Sequence, residues 1–187
     1  MHLYLIGPRG SGKSTVARQV ARRLDRPLWS TDEAIQTTAG KTITELFQSP
    51  GEAGFRDLES EALANTANSP AAVIDLGGGA ILRESNRCLI REAGKAVWLF
   101  AEAEILWRRI CDDPRSTQTR PPLKAQSAET LASNGLVEIR LLVRERESFY
   151  EACADYEIDT GSLSVDEVAR RIVAWFDTVD KSRSRFR

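Results

Sequence analysis

Residues 3–24 read LYLIGPRGSGKSTVARQVARRL and predict a strand, a glycine-rich turn and a helix in direct succession. The apolar run at residues 3–6 is typical of a strand buried in a parallel sheet. After the turn, apolar residues such as Val16 and Val20 share one helical face, and arginines occupy the other. The turn itself satisfies the phosphate-binding pattern GxxxxGK(S/T). This stretch therefore predicts an α/β protein that binds a nucleotide.

The residue types of the turn explain how it would bind phosphate. Glycines allow successive backbone N–H groups to surround phosphate oxygens, and the helix N-terminus adds partial positive charge. Lys13 is expected to reach the β- and γ-phosphates, and the Ser14 hydroxyl is an oxygen ligand of the kind Mg²⁺ prefers. The residues expected to contact the nucleotide are Gly10, Ser11, Gly12, Lys13, Ser14 and Thr15. A glycine-rich turn without a ligand is the alternative, and the flanking strand and helix count against it.

Further short apolar runs alternate with segments of helical period, which is typical of parallel strands joined by crossover helices. The additional strand candidates are residues 27–29, 72–76, 96–100 and 156–159. Apolar residues at helical spacing between 165 and 176 predict a last helix. Ser164, just before this helix, and Glu167, in its first turn, have the spacing of a capping box. Five strands would form one sheet in a single domain of residues 1–177, which closes near Asp177.

Length and composition fit one soluble globular domain, with 187 residues, of which 42% are hydrophobic and 28% charged. The 26 basic and 27 acidic residues leave a net charge of -1, so an overall basic field for nucleic acid or an anionic membrane is absent. No apolar run approaches the roughly 20 residues that span a bilayer. The basic tail at residues 178–187 is expected to be solvated and frayed.

Histidine and cysteine usage excludes several kinds of site. The single histidine is His2, which rules out Ser-His-Asp triads and histidine-based metal sites. Cys88, Cys111 and Cys153 are odd in number and lack CxxC spacing, and nothing at the N-terminus resembles a signal peptide. We therefore expect a cytoplasmic protein whose chemistry rests on Asp, Glu, Lys, Arg, Ser and backbone groups.

Two stretches fall outside the pattern of strands and crossover helices. Residues 33–68 have helical patterning broken at Gly40 and at residues 49–51, which predicts two or three inserted helices that form a flap. Residues 112–127, DDPRSTQTRPPLKAQS, are polar, contain three prolines and have no hydrophobic period, which predicts a mobile loop. Both are interpreted as insertions in one domain.

Two strand ends carry candidates for a second substrate. Asp32 follows the second strand, where a carboxylate can face the phosphates and accept a hydroxyl proton; a helix N-cap is the alternative. Gly77, Gly78 and Gly79 follow the third strand and either let the backbone approach a ligand or simply turn the chain. These residues remain ambiguous when each is considered alone.

Six features in order resemble shikimate kinases. Besides Asp32 they are GPRGSGKST at 7–15, GFRDLE at 54–59, LGGGA at 76–80, TRPPL at 119–123 and ERESFYEACA at 145–154. The resemblance covers the chain from about residue 3 to residue 176. It implies a three-layer α/β/α P-loop kinase fold with a five-stranded parallel sheet in the order 2-3-1-4-5, a substrate-binding flap at about 33–68 and a lid at about 112–127.

The resemblance also implies a reaction, the transfer of the γ-phosphoryl group of ATP to the 3-hydroxyl of shikimate in aromatic amino-acid biosynthesis, with Mg²⁺ as cofactor. Asp32 matches the carboxylate that holds and deprotonates that hydroxyl. Arg56 and Arg146 match the pair that binds the shikimate carboxylate, and Gly78 and Gly79 match backbone donors to the ring. A planar guanidinium suits this task because it binds a carboxylate through two parallel hydrogen bonds.

On the ATP side, Arg120 matches a lid arginine that shares the neutralisation of phosphate charge with Lys13. Arg109 matches a position that stacks near adenine, and an arginine on a helix surface is the alternative. ATP and shikimate are the expected partners, and a monomer is the expected state. The acidic residues that flank Arg56 are interpreted mainly as the solvated face of the flap; they are Glu52, Asp57, Glu59 and Glu61.

One position departs from the usual pattern of that family, in which an Asp-x-Asp pair follows the second strand and its first Asp helps to hold Mg²⁺ through water. Ser30 stands at that position, and Asp75 ends the third strand. Because other P-loop enzymes bind magnesium with an Asp at a strand end, Asp75 is hypothesised to compensate for Ser30 beside Ser14. The alternative is that Asp75 caps a backbone group.

Two other functions stay open on the sequence. One is a different small-molecule P-loop kinase, such as a gluconate kinase, although an anionic acceptor bound by Arg56 and Arg146 fits shikimate better. The other is a nucleotide-binding regulatory protein that has lost catalysis, for which Ser30 is the only supporting feature.

Overall fold

The computed structural model describes residues 1–67, 69–113 and 128–184. In these ranges the five strands are β1 His2–Ile6, β2 Leu28–Ser30, β3 Val73–Asp75, β4 Gly94–Phe100 and β5 Tyr156–Asp159. The eight α-helices are α1 Lys13–Leu24, α2 Thr31–Ala39, α3 Ile43–Gln48, α4 Gly51–Thr66, α5 Glu84–Ala93, α6 Ala103–Asp112, α7 Ala128–Cys153 and α8 Val165–Ser184. A short 3₁₀ helix, Ala80–Leu82, follows the triple glycine.

The strands form one parallel sheet in the order β2-β3-β1-β4-β5, which confirms the predicted topology. β1 lies at the centre, with Leu5 in register with Asp75 on one side and Val97 on the other. Because all strands run in the same direction, their carboxyl ends meet at one edge of the sheet. The phosphate-binding loop, the N-terminus of α2 and the triple glycine all start from that edge.

Two apolar layers cover the faces of the sheet, which gives the predicted α/β/α architecture. Leu3 and Leu5 face α1 and α8, where Phe176 is fully buried. Tyr4 and Ile6 face the opposite layer, which includes Tyr150 of α7. The alternation along β1 follows from the two-residue period of a strand, and both faces are buried because helices lie on each side.

The insertion after β2 consists of three helices, α2, α3 and α4, which confirms the prediction of two or three inserted helices. Gly40 ends α2 in a left-handed conformation with φ of 62°, where glycine is favoured. Thr42 and Glu45 then form a capping box at the start of α3. The insertion has its own small apolar cluster, formed by Ile35, Ile43, Leu46 and Phe55.

The C-terminal helix differs from the prediction, because α8 continues to Ser184 instead of ending near Asp177. Ser164 caps it as predicted, with its Oγ accepting from the Glu167 N–H at 3.2 Å. Beyond residue 177, Asp180 accepts a hydrogen bond from Arg26 at 2.5 Å, and this ion pair holds the last turns against the body of the protein. The expectation of a frayed tail is therefore wrong for residues 178–184; residues 185–187 lie outside the described part of the chain.

The predicted loop at 112–127 begins where α6 ends at Asp112. Residues 114–127, including Arg120, lie outside the described residues. Within the described part of the chain, no helix combines the length and the apolar character that crossing a membrane requires.

His2 makes the stability of the fold depend on pH. Its Nδ1 accepts from the Ala72 N–H at 3.2 Å, which requires a ring nitrogen without a proton. Burial lowers the pKa of His2, and the positive charges of the N-terminus and Arg26 lower it further. Because the folded pKa lies below the unfolded one, this contribution is present above about pH 6.5, the usual histidine pKa, and is lost as pH falls below it.

We therefore expect wild type to lose more thermal stability than His2→Asn between about pH 7.5 and pH 5.5. The asparagine oxygen can still accept from Ala72 but does not titrate. Each kcal/mol lost would lower the unfolding midpoint by about 2–4 °C. Calorimetry of both variants at both pH values measures the difference, and parallel pH profiles would contradict it.

Candidate active site

The phosphate-binding loop connects β1 to α1 at the centre of the sheet edge. Gly7 lies against Leu99 of β4 so closely that a side chain would collide with the Leu99 carbonyl, and its φ is 146°. Gly12 adopts φ of 88° immediately before α1. Lys13 donates to the carbonyls of Gly7 at 2.8 Å and Pro8 at 2.9 Å. The lysine ammonium thus lies over its own loop, where phosphate oxygens can replace these carbonyls as acceptors.

A cleft of about 560 Å³ opens over this loop. Its lining includes every predicted phosphate-binding residue from Gly10 to Thr15, together with Ser30, Asp32, Asp75 and Arg109. The structure therefore brings the candidates from β2, β3 and α6 together around the loop. Volume and lining suit a ligand the size of a nucleotide.

Asp32 lies in the first turn of α2 and lines this cleft. The N-cap of α2 is Ser30, whose Oγ accepts from the Glu33 N–H at 3.3 Å. The alternative interpretation of Asp32 as the N-cap is therefore wrong. Because Ser30 caps the helix, the Asp32 carboxylate is placed toward the triple glycine: its Oδ1 lies 2.8 Å from where a Cβ of Gly77 would be.

The triple glycine makes room for side chains of the flap. A Cβ on Gly79 would collide with the Arg56 guanidinium, and one on Gly77 would lie 2.5 Å from Glu59 Oε1. Gly79 has φ of -105°, which most residues adopt, so the need for glycine here is close approach and not a special turn. Thr31 holds the start of the segment, since its Oγ1 accepts from the Gly77 N–H at 3.0 Å and donates to the Asp75 carbonyl at 3.4 Å.

Arg56 of α4 lies at the glycine segment, held by two glutamates. It forms a short ion pair with Glu59 and a longer one with Glu52 at 3.1 Å. Glu59 is only 1% exposed, so its assignment to the solvated face of the flap is wrong. It is buried because it lies one turn from Arg56 on the face of α4 that packs against Gly77. Arg56 is thus oriented before any acceptor binds.

Arg146 of α7 contacts the same segment. It donates to the Gly78 carbonyl at 3.4 Å, and Tyr150, one turn later, donates to the same oxygen at 2.7 Å. The structure therefore places Arg56, Arg146 and Asp32 around Gly77, Gly78 and Gly79, although they come from separate parts of the chain.

Arg109 lies at the other side of the cleft. It donates to the Thr160 carbonyl at 2.6 Å, to Thr160 Oγ1 at 3.0 Å and to the Gly10 carbonyl at 3.5 Å. It therefore connects α6 to the phosphate loop and to the segment after β5. A solvated arginine on a helix surface, the alternative interpretation, does not describe this residue.

Ser30 and Asp75 are register partners on the adjacent strands β2 and β3. Both line the cleft with Ser14, and Asp75 is 8% exposed. One carboxylate and one hydroxyl thus face the phosphate loop from the sheet edge.

The family model described as shikimate kinase matches residues 9–177. The chain belongs to the shikimate kinase family. A shikimate kinase of Rhodopirellula baltica is 42% identical over 172 residues, which cover 92% of this chain and 88% of that protein. A shikimate kinase of Burkholderia pseudomallei is 36% identical over 173 residues, which cover 92% of this chain and 88% of that protein.

Solved structures agree with the family. Shikimate kinase from Acinetobacter baumannii in complex with shikimate has a TM-score of 0.84 and 31% identity, and the match covers 95% of this chain and 93% of that one. A gluconokinase from Sinorhizobium meliloti has a TM-score of 0.57 and 16% identity, and the match covers 98% of this chain and 95% of that one. The second similarity shows a shared fold alone.

Sequence reasoning missed four residues around the site of this shikimate kinase family member. Glu59 holds the guanidinium of Arg56, and Tyr150 holds the Gly78 carbonyl. Thr31 holds the Gly77 N–H, and Thr160 holds the guanidinium of Arg109. A signal existed for two of them, because Glu59 and Tyr150 follow Arg56 and Arg146 at helical spacing. No local pattern marks Thr31 or Thr160.

Proposed function

We propose that this ATP-dependent kinase transfers the γ-phosphoryl group of ATP to the 3-hydroxyl of shikimate and releases shikimate 3-phosphate and ADP. The observation that carries the proposal is the convergence of Asp32, Arg56 and Arg146 on the triple glycine, at the edge of the cleft formed by the phosphate loop. One base and two guanidiniums suit an acceptor that carries both a hydroxyl and a carboxylate.

On the acceptor side, Arg56 and Arg146 bind the carboxylate beside Gly78 and Gly79, whose backbone contacts the ring. Glu59 and Glu52 hold the Arg56 fork in one orientation, which limits the side-chain entropy lost when the acceptor binds. Asp32 accepts a hydrogen bond from the 3-hydroxyl and takes its proton as the new P–O bond forms. These contacts orient the hydroxyl oxygen toward the γ-phosphorus.

On the donor side, the backbone N–H groups from Gly10 to Thr15 surround the phosphates, and the Lys13 ammonium neutralises charge on the transferred group. Arg109, which Thr160 holds in place, is proposed to lie beside the adenine. Arg120 is proposed to add a further positive charge over the phosphates. Phosphoryl transfer needs mostly positioning and charge neutralisation, and the chain supplies both from separate elements.

The residues present fit Mg²⁺ brought in with ATP. Ser14 and Asp75, which both line the cleft, offer the oxygen ligands that Mg²⁺ prefers, and the remaining positions suit water and phosphate oxygens. Within the described residues no group of three or more His, Cys, Asp or Glu side chains is placed to hold a metal ion. When bound, the ion would neutralise phosphate charge.

Asp75 is proposed to replace the carboxylate that Ser30 lacks, because the two positions are adjacent across β2 and β3. Asp75→Asn is therefore expected to raise the Mg²⁺ concentration for half-maximal rate by about 10-fold. It should weaken Mn²⁺ binding to the ATP complex, measured by paramagnetic relaxation, to a similar degree. Asp113→Asn, which also alters a cleft carboxylate, is the control. Equal metal dependence in wild type and Asp75→Asn would refute the role.

The proposed reaction is tested by a coupled assay of ADP release with MgATP and shikimate, gluconate or no acceptor. Shikimate-dependent turnover that gluconate does not support is the expected outcome. Turnover with gluconate instead would favour another small-molecule kinase. Tight ATP binding without turnover would indicate a protein that has lost catalysis.

We further propose that residues 1–177 act as one domain of a cytoplasmic monomer whose partners are ATP and shikimate. The net charge of -1 supports small-molecule partners over nucleic acid or an anionic membrane. Sedimentation equilibrium of the full chain tests the oligomeric state, and a mass near 20.8 kDa is expected.

A further inference from the structure

Tyr150 is a buried polar residue that the proposed reaction does not use. It lies on α7, is 1% exposed, and donates its hydroxyl proton to the Gly78 carbonyl at 2.7 Å. Its ring stacks on Trp98 of β4, with centroids 5.5 Å apart and planes 13° apart. The ring is therefore fixed by packing, and its hydroxyl is aimed at one backbone atom of the glycine segment.

This hydrogen bond determines which way the Gly78–Gly79 peptide unit faces. The peptide is trans, since the cis bond among the described residues is Ser49–Pro50. In a trans peptide the C=O of Gly78 and the N–H of Gly79 point in opposite directions. With the carbonyl held toward α7, the Gly79 N–H points away from α7. Among the described residues nothing accepts from this N–H, so it is available to a bound molecule.

The same hydrogen bond affects Arg146. The guanidinium reaches the Gly78 carbonyl only at 3.4 Å, a long hydrogen bond, while Tyr150 makes the short one. Within the described part of the chain, Arg146 has no other hydrogen-bond or ion-pair partner. Because Tyr150 satisfies the carbonyl, the Arg146 fork can turn to an anionic ligand without leaving a buried acceptor unpaired.

We infer that Tyr150 is a positioning residue for the acceptor: its hydroxyl orients the Gly78–Gly79 peptide so that the Gly79 N–H donates to the acceptor, and it leaves Arg146 for the acceptor carboxylate. The inference rests on the proposed function for the identity of the acceptor. Thr31 acts at the other end of the segment by holding the Gly77 N–H at 3.0 Å. Together the two hydroxyls set the backbone on which the acceptor lies.

Tyr150→Phe tests this role, because it removes the hydroxyl but keeps the ring and its stacking on Trp98. We expect KM for shikimate to rise by about 10-fold, which is equivalent to about 1.4 kcal/mol. Both kcat and KM for ATP should change by less than about 2-fold. Tyr156→Phe is the matched control, since Tyr156 also stacks on a tryptophan, Trp175, at 5.1 Å and 13°. Its constants should match those of wild type.

A second readout does not depend on activity. Ala80 and Leu82 donate to the carbonyls of Gly77 and Gly79 at 3.1 and 3.0 Å, so exchange of their amide protons reports order in the glycine segment. Exchange in the free protein should accelerate about 10-fold in Tyr150→Phe and not in Tyr156→Phe. If wild type does not phosphorylate shikimate, the proposed function fails, and exchange decides the positioning role alone.

An unchanged KM for shikimate, or unchanged exchange of Ala80 and Leu82, in folded Tyr150→Phe would overturn the inference. An equal rise in KM for ATP would also overturn it, since that result indicates a general disturbance of the fold. Thermal unfolding of both variants confirms that they are compared in the folded state.

Discussion

Asp32→Asn is expected to lower kcat for shikimate phosphorylation by about 10²- to 10⁴-fold, the range that a positioned general base contributes. Asparagine keeps the size and shape of the side chain but cannot take the proton of the 3-hydroxyl. It also loses the negative charge that holds this hydroxyl in place. KM for ATP should change little, because the proposed contacts to the phosphates come from the loop residues 10–15 and not from this carboxylate. Steady-state kinetics and titration with an ATP analogue measure the two effects separately.

Glu33→Gln is the matched control for this substitution. Glu33 lies beside Asp32 in the first turn of α2 and lines the same cleft, so both changes remove one negative charge at the same helix terminus. Its rate should stay within about 2-fold of wild type, because its side chain is exposed. A comparable loss of kcat in both variants would attribute the effect to local charge, and an active Asp32→Asn would exclude the base.

Arg56→Lys is expected to raise KM for shikimate by about 10- to 100-fold, the range for losing a hydrogen bond to a charged group. The Arg56 guanidinium is held by Glu59 and Glu52 and reaches Gly79, so one planar group can bind the glutamates and the acceptor carboxylate together. A lysine ammonium keeps the charge but presents no planar pair of donors. The effect should appear in shikimate binding measured by calorimetry as well as in KM.

Arg83→Lys provides the comparison for Arg56→Lys. Arg83 also pairs with α4, donating to Asp57 and to the Ser60 hydroxyl at 3.1 Å, but unlike Arg56 it is not among the nearest neighbours of the triple glycine. Kinetics of Arg83→Lys should equal those of wild type. If both substitutions raise KM alike, the flap as a whole is responsible; if neither does, Arg56 does not bind the acceptor.

Local sequence was sufficient to predict the parts of the site that depend on neighbours in the chain. The phosphate loop, its strand and its helix are contiguous in the chain. The break at Gly40 predicted the end of α2, because a left-handed cap favours glycine within one turn of the chain. These features depend on interactions between residues a few positions apart, and such interactions can be predicted from hydrophobic periodicity and from the residues that favour turns.

Contacts between distant segments were not predictable in this way. Tyr150 and Gly78 are 72 residues apart, and Arg26 and Asp180, whose pairing extends α8, are 154 apart. Glu59 has the sequence environment of a solvated glutamate, and only the approach of Gly77 makes its face of α4 an interior one. Burial, unlike helical period, is a property of what packs against a residue. The phosphate loop is therefore determined by adjacent residues of the sequence. The arrangement of groups around the acceptor forms only when the fold brings α2, α4 and α7 together at the edge of the sheet.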